Sequence, residues 1–206
     1  MILDITFIIF GCLIIVSIIP LYIYRKEIYK KFNRKGDIKT FFNDTKNYLI
    51  SNYPKIPFNF DILKKFEDEK DIKIKETLIA EEFVKQFTYF EYELNTQNSV
   101  PHEKLWSNYD QNSKLLKDNK LPTDWAQRKK TAWMRDDGRC NRCGLKINLT
   151  NTNALLVKQM KDGGGFNLEN IVILCHDCSR IIKSSNLEKT RKDLNILDKL
   201  IKKIHF

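Results

Sequence analysis

The sequence predicts a mainly helical protein with a small cysteine-centred domain and one N-terminal transmembrane helix. Three observations lead to this fold class. Glycine and proline are scarce, at 7 and 5 of 206 residues, which favours helices over repeats or disordered linkers. A long uncharged run lies near the start of the chain. Four of the five cysteines fall in two pairs towards the other end.

The uncharged run extends from Ile5 to Tyr24. About 20 helical residues span about 30 Å, the thickness of a hydrocarbon core, so the run predicts an uncleaved transmembrane anchor over residues 1–24. A basic juxtamembrane segment follows in residues 25–39, with seven Lys/Arg and two acids. The positive-inside rule places this segment in the cytoplasm. We therefore expect a single-pass membrane protein with its N-terminus outside and its C-terminal domain cytoplasmic.

Residues 40–119 are expected to form a helical linker or docking region. Apolar side chains recur at helical spacing over residues 37–53 and, more strongly, from Lys73 to Leu94. The aromatic stripe of the second helix is interpreted as packing, because its polar neighbours are mainly glutamates. A nucleic-acid stacking platform would instead have interleaved basic residues. Pro101 is expected to begin a further helix.

The cysteine pairs have the spacing C-x2-C-x31-C-x2-C and consist of Cys140, Cys143, Cys175 and Cys178. A tight C-x2-C turn brings two thiolates to one point, and two such turns complete the tetrahedral four-sulfur site that structural zinc prefers. Such a site leaves no open coordination position, so this zinc is expected to hold structure rather than to catalyse.

Two motifs around the cysteines resemble those of the HNH endonuclease family. The first is WMRDDGRCNRCG, from Trp133 to Gly144, and the second is GGGFNLENIVILCHDC, from Gly163 to Cys178. The resemblance implies a treble-clef-like ββα fold, with a zinc knuckle, a hairpin, a loop and a helix starting near the second pair. We assign this HNH-like zinc domain to residues 120–185. A C-terminal amphipathic helix is expected over residues 186–206.

The resemblance also implies a catalytic apparatus, which this chain lacks. Family members cut phosphodiesters with a second divalent ion, using an Asp-His or His-His pair on the first strand and a His or Asn after the last cysteine. Here the pair falls on Leu155 and Leu156, and Ser179 follows the last cysteine. Asn170 corresponds to the family's central asparagine. Since the general base and the metal ligands are missing, we expect no second metal ion and little or no nuclease activity.

Although the catalytic residues are missing, the zinc domain keeps a strong positive charge. Residues 120–206 carry eighteen Lys/Arg and nine acids, a net +9, which is typical of a surface that attracts phosphates. A module that binds nucleic acid without cutting it is the favoured hypothesis. The candidate contact residues are Arg128, Lys129, Lys130, Arg135, Arg139, Arg142, Lys158, Lys161, Arg180 and Lys183.

Two alternatives stay open. One is an active HNH endonuclease with a displaced metal site that uses Asp162 or Asp177. The other is a structural membrane adaptor whose zinc-stabilised domain binds a protein partner at the membrane.

Overall fold

The computed structural model describes residues 13–14, 16, 18–20, 22–25, 37–111 and 121–204. Within these residues the protein is mainly helical, with a small two-stranded sheet. The α-helices are α1 (Ile38–Asn52), α2 (Ile72–Tyr89), α3 (Trp125–Arg135), α4 (His176–Lys183), α5 (Leu187–Lys192) and α6 (Asn195–Ile204). The strands are β1 (Asn153–Leu156) and β2 (Ile171–Leu174). Short 3-10 turns lie at Asp61–Phe66, His102–Lys104, Leu149–Asn151, Met160–Asp162 and Leu168–Asn170.

Side-chain caps fix where the first two long helices begin. The Oδ1 atom of Asp37 accepts a hydrogen bond from the backbone N–H of Lys39 at 3.1 Å, at the start of α1. Asp71 does the same for the backbone N–H groups of Lys73 and Ile74, at 2.8 and 3.3 Å, at the start of α2. Each carboxylate satisfies donors that have no partner inside the helix, which stabilises a helix start by about 1 kcal/mol.

Helices α1, α2 and α6 pack together and form what we call the helical layer. Its core is rich in aromatic side chains. Phe83 is fully buried, and its ring lies 6.1 Å from that of Phe42 and 6.0 Å from that of Phe58, measured between centroids. The buried Ile196 and Leu200 of α6 belong to the same hydrophobic core. The apolar stripe predicted for the C-terminal helix therefore packs inside the protein, although the structure divides that helix into α5 and α6.

Residues 121–183 form what we call the cysteine module: α3, the first cysteine pair, the hairpin and α4. The hairpin is antiparallel, with Asn153 opposite Leu174 and Leu156 opposite Ile171. Every residue of β2 is buried, because α3 packs against it and β1 pairs with it. The cysteines and β2 share one hydrophobic core with the aromatic residues of α1 and α2. The helices predicted in residues 40–119 are thus packed directly on the module.

An irregular segment, residues 90–111, crosses the cysteine module. The backbone N–H of Gln97 donates to the carbonyl of Glu169 at 2.8 Å. The Tyr109 hydroxyl accepts from the backbone N–H of Leu168 at 3.1 Å. These contacts bind the segment to the start of β2. Among the described residues after Pro101, the expected helix is present only as the 3-10 turn at His102–Lys104. The rest of that prediction falls on residues 112–120, which lie outside the described residues.

The prediction of a transmembrane helix over residues 5–24 is corrected by the structure. Among the described residues, no helix is both long enough and apolar enough to cross a bilayer. The single-span membrane partner and the single-pass location inferred from this helix lose their support. Residues 5–12, 15, 17, 21 and 26–36 lie outside the described residues.

Candidate metal centre

The first cysteine pair lies in a tight turn after α3. Asp137 and Gly138 have φ angles of 51° and 64°, and this left-handed backbone reverses the chain towards Cys140. The backbone N–H of Gly144 then donates to the carbonyl of Cys140 at 2.8 Å, and the N–H of Cys140 donates to the carbonyl of Leu145 at 2.9 Å. The turn is therefore closed by its own backbone, with both sulfurs on its inner side.

The second pair lies where β2 ends and α4 begins. Cys175 is the N-cap of α4, and its sulfur accepts from the backbone N–H of Cys178 at 3.4 Å. Asn141, between the first two cysteines, joins the pairs: its backbone N–H donates to the carbonyl of Ile173, and its side-chain oxygen accepts from the backbone N–H of Ile173, both at 2.8 Å. The first cysteine turn is therefore fixed against β2.

The four sulfurs converge on one point. All four Sγ atoms lie within 4.8 Å of one another, and those of Cys143 and Cys175 are 3.8 Å apart. A regular tetrahedron with Zn–S bonds of about 2.3 Å has sulfur–sulfur edges of about 3.8 Å. The spacing of the sulfurs thus fits a four-coordinate zinc ion. All four cysteines are free thiols and are buried.

The ionisation of the cluster explains why it needs a cation. Hydrogen bonds from the thiols of Cys143, Cys175 and Cys178 lower the pKa of Cys140. The hydrogen bond to Cys140 raises the pKa of Cys143, and burial raises the pKa of Cys178. Burial therefore opposes further ionisation of these sulfurs unless a positive charge lies beside them. A bound zinc ion supplies that charge, so zinc binding displaces protons and weakens as the pH falls.

Arg142 connects the sulfur cluster to the helical layer. Its side chain is 1% exposed, and its Nη1 lies 3.5 Å from the Cys178 sulfur. Its Nη2 donates to the carbonyls of Phe87 and Phe90 at 2.7 and 2.9 Å, and to that of Thr88 at 3.3 Å. These carbonyls lie at the C-terminal end of α2, where the helix dipole is negative. The guanidinium therefore caps α2 and faces the thiolate cluster at the same time.

Two more of the arginines predicted to contact nucleic acid lie inside the protein. Arg128 is 1% exposed and donates to Asp124 at 2.8 Å and to the carbonyl of Phe166 at 2.7 Å. Arg135 binds the carboxylate of Asp136 through two hydrogen bonds and donates to the carbonyls of Leu168 and Ile171. Together with Arg142, they fix backbone carbonyls of the core and are not part of the basic surface.

The other predicted contact residues lie nearer the surface. Arg180 is partly exposed and is paired with Asp193 at 3.2 Å, and Lys129 is half-buried. The remaining five are exposed and lie on α3, the cysteine turn, the loop after β1 and α4: Lys130, Arg139, Lys158, Lys161 and Lys183.

The positions that the sequence resemblance matched to HNH catalytic residues are apolar or structural. Leu155 and Leu156 are half-buried and pack against the core, and Ser179 is 4% exposed. Asn170 is buried, and its side chain forms hydrogen bonds with the loop after β1. Its Oδ1 accepts from the backbone N–H of Lys158 at 2.8 Å, and its Nδ2 donates to the Lys158 carbonyl at 2.9 Å. Asn170 therefore holds the shape of this loop.

The alternative metal ligands proposed from the sequence do not converge. Asp177 is buried and caps α6, since its carboxylate accepts from the backbone N–H groups of Asn195 and Ile196, both at 3.0 Å. Asp162 is exposed in a 3-10 turn. Within the part of the chain that the structure describes, the four cysteines are the only group of three or more candidate ligands that could hold a metal ion.

No protein-family model matches this chain, and no curated protein or solved structure matches it either. Its chemistry therefore has to be argued from its own residues. The four cysteines form a site for a structural zinc ion. The zinc site predicted from the spacing of the cysteines is therefore confirmed.

Sequence reasoning missed the contacts that join the zinc site to the helical layer. The backbone N–H of Lys55 donates to the carbonyl of Cys143 at 3.3 Å, and its Nζ donates to that of Asn141 at 3.1 Å. Pro54 packs so closely on Gly144 that a Cβ there would lie 2.8 Å from the proline Cγ. The nearest local signal in the sequence is Pro54, which lies in a turn just after α1.

Proposed function

We propose that this protein is a zinc-stabilised, HNH-like module that binds the phosphate backbone of nucleic acid without cutting it. The observation that carries the proposal is the group of exposed cations on successive elements around the zinc site. Lys130 lies on α3, Arg139 in the cysteine turn, Lys158 in the loop after β1, and Lys183 on α4. Phosphate contacts of this kind provide most of the sequence-independent affinity of such proteins.

The order of elements supports the HNH-like part of the proposal. A helix leads into a cysteine turn, an antiparallel hairpin follows, and the second pair opens a helix. Asn170 holds the loop after β1 at the backbone of Lys158, as the family's central asparagine holds its catalytic loop. This similarity concerns architecture, and the fold alone does not establish an activity.

The absence of catalysis is argued from side-chain chemistry. Leucine at 155 and 156 can neither accept a proton nor bind a cation. General base catalysis contributes about 10²–10⁴-fold, and a metal ion contributes several kcal/mol of transition-state stabilisation. A site that lacks both is expected to have no measurable phosphodiesterase activity.

Nucleic-acid binding is tested by fluorescence anisotropy of the zinc-loaded protein with labelled duplex DNA and duplex RNA at several salt concentrations. We expect affinity to fall steeply with salt. Changing Lys158, Lys161 and Lys183 together to Gln should weaken binding to all sequences. The same change should lower the salt slope by about one for each lysine–phosphate interaction that it removes.

The matched control changes Lys64, Lys70 and Lys73 to Gln, because these lysines are exposed and lie outside the cysteine module. Their substitution removes the same charge. If both triple variants lose affinity equally, or if the wild-type protein fails to bind at low salt, the proposal is wrong. Plasmid nicking that depends on Mg²⁺ or Mn²⁺ and disappears in the Asp162→Asn variant would support the active-endonuclease alternative.

A further inference from the structure

A groove of about 780 Å³ lies beside the zinc centre, and none of the five exposed cations described above lines it. The end of α1, the loop that follows the first cysteine pair and one side of α6 form its walls. Parts far apart in the sequence therefore build a single concavity. Its volume falls within the range of about 300–1,000 Å³ that is typical of small-molecule sites.

Three lysines line this groove: Lys146, Lys199 and Lys202. Each is exposed, and no ion pair joins any of them to an acid within the described residues. Lys199 and Lys202 are three residues apart on α6 and therefore share one face of the helix. Two acids line the groove with them: Asp198, and Asp177, whose carboxylate caps α6. The three lysines therefore exceed the two lining carboxylates by one charge.

Side-chain amides line the groove as well. Asn148, Asn151 and Asn153 line the groove, and none of their side-chain amides has a hydrogen-bond partner in the described chain. The 3-10 turn at Leu149–Asn151 and the start of β1 fix their backbone positions. Each amide presents one acceptor and two donors side by side, which matches a ligand edge carrying both kinds of group.

We propose that this groove binds a nucleoside 5′-monophosphate. The phosphate contacts Lys199, Lys202 and Lys146, and the asparagine amides pair with hydroxyls of the sugar and with the edge of the base. An inorganic anion would use the lysines alone and would leave most of the volume and all three amides without a role. Side-chain amides pair with base edges in the same way in nucleic-acid complexes. This site shares no residue with the proposed backbone-binding surface, although Arg139 of that surface forms a β-bridge with Lys146 of the groove.

The chemistry has two sources, a free nucleotide or the 5′-phosphorylated end of a strand. Isothermal titration of the zinc-loaded full chain distinguishes them with AMP, GMP, CMP and UMP in one arm, and 5′-phosphorylated against 5′-hydroxyl oligonucleotides in the other. Preference for the phosphorylated strand over every mononucleotide assigns the site to strand ends. Equal or tighter binding of a mononucleotide assigns it to free nucleotides.

We expect the Lys199→Gln/Lys202→Gln variant to bind the preferred probe about tenfold more weakly, and the Asn148→Ala/Asn151→Ala variant to lose affinity without a change in net charge. The control is Lys189→Gln/Lys192→Gln, which removes the same charge from the exposed face of α5. Retained zinc content shows that each variant is folded.

Three results would overturn the proposal. The first is no binding of any nucleotide or phosphorylated strand up to about 1 mM. The second is an equal loss of affinity in the control variant. The third is inorganic phosphate that binds as tightly as the nucleotides. The Lys158, Lys161 and Lys183 variant tests the two sites against each other. If it loses duplex binding and keeps nucleotide binding, the two sites bind their ligands separately.

Discussion

The helical layer and the cysteine module are stabilised by different interactions. In the helical layer, large aromatic side chains bury one another, and the rings of Tyr53 and Phe87 lie 5.2 Å apart. In the cysteine module the strands have four residues each, and four sulfurs and the buried arginines organise the interior. The stability of the helical layer should therefore depend on packing, whereas that of the cysteine module should depend on its metal.

The largest expected effect is that of zinc removal. Chelation, or the Cys178→Ser substitution, leaves buried thiols without a cation, and structural zinc contributes about 10–16 kcal/mol of apparent binding free energy to such folds. We expect β2 and α4 to lose protection in hydrogen exchange while the centre of α2 retains more. Unchanged protection of Ile171–Leu174 after complete chelation would remove the distinction between the two regions.

The next largest effect should come from the aromatic core. Phe83→Ala removes a fully buried ring that contacts Phe42 and Phe58, so we expect a loss of about 3–5 kcal/mol in the free energy of unfolding. Ile74 lies on the same helix with 49% of its surface exposed, and Ile74→Ala should change stability by about 0.5 kcal/mol or less. Chemical denaturation at saturating zinc measures both. Similar losses in the two variants would contradict the packing account.

Arg142 tests how the two regions are joined. Arg142→Met leaves the carbonyls of Phe87, Thr88 and Phe90 without their donor, and we expect a cost of about 2–4 kcal/mol. Arg139→Met, directly before Cys140, is the matched control, because that residue is exposed and its side chain donates to one carbonyl, that of Gly144 at 3.2 Å, instead of three. If both variants lose the same free energy of unfolding in denaturation experiments, the buried contacts of Arg142 do not account for its effect on stability.

The smallest effect concerns the contact between Pro54 and Gly144. Gly144 has a φ of +79°, so Gly144→Ala adds backbone strain of about 1–2 kcal/mol and also a clash with the proline. Gly163 has the same φ of +79°, but a Cβ there would lie 3.7 Å from its nearest neighbour, the Lys158 Nζ. Gly163→Ala therefore measures strain alone. Equal melting-temperature shifts in the two variants would show that the Pro54 contact contributes nothing.

Local patterns predicted much of this structure. The spacing of the cysteines identified the zinc site, and apolar periodicity placed α1 and α2 within a few residues of their observed positions. The resemblance to HNH motifs implied the hairpin and the helix after Cys175. These features depend on residues close together in the chain, which is why a single sequence reveals them.

Long-range contacts account for most of what the sequence did not reveal. Helix α2 was expected to continue to Leu94 but ends at Tyr89. At its end, the Arg142 side chain donates hydrogen bonds to the carbonyls of the last turn. The buried arginines were assigned to a nucleic-acid surface from the positive charge of this region and from the HNH resemblance, whereas their carbonyl partners lie as far as 55 residues away in the sequence. The transmembrane prediction rested on an apolar run alone.

The most direct test of the zinc centre is metal content per folded chain. Native mass spectrometry and elemental analysis of protein purified without added metal should give one zinc ion per chain in the wild type. Cys140→Ser and Cys175→Ser should each reduce zinc to a small fraction of this, whereas Cys12→Ser should leave it unchanged. A wild-type chain that is folded, free of zinc and unaltered by either substitution would contradict the account.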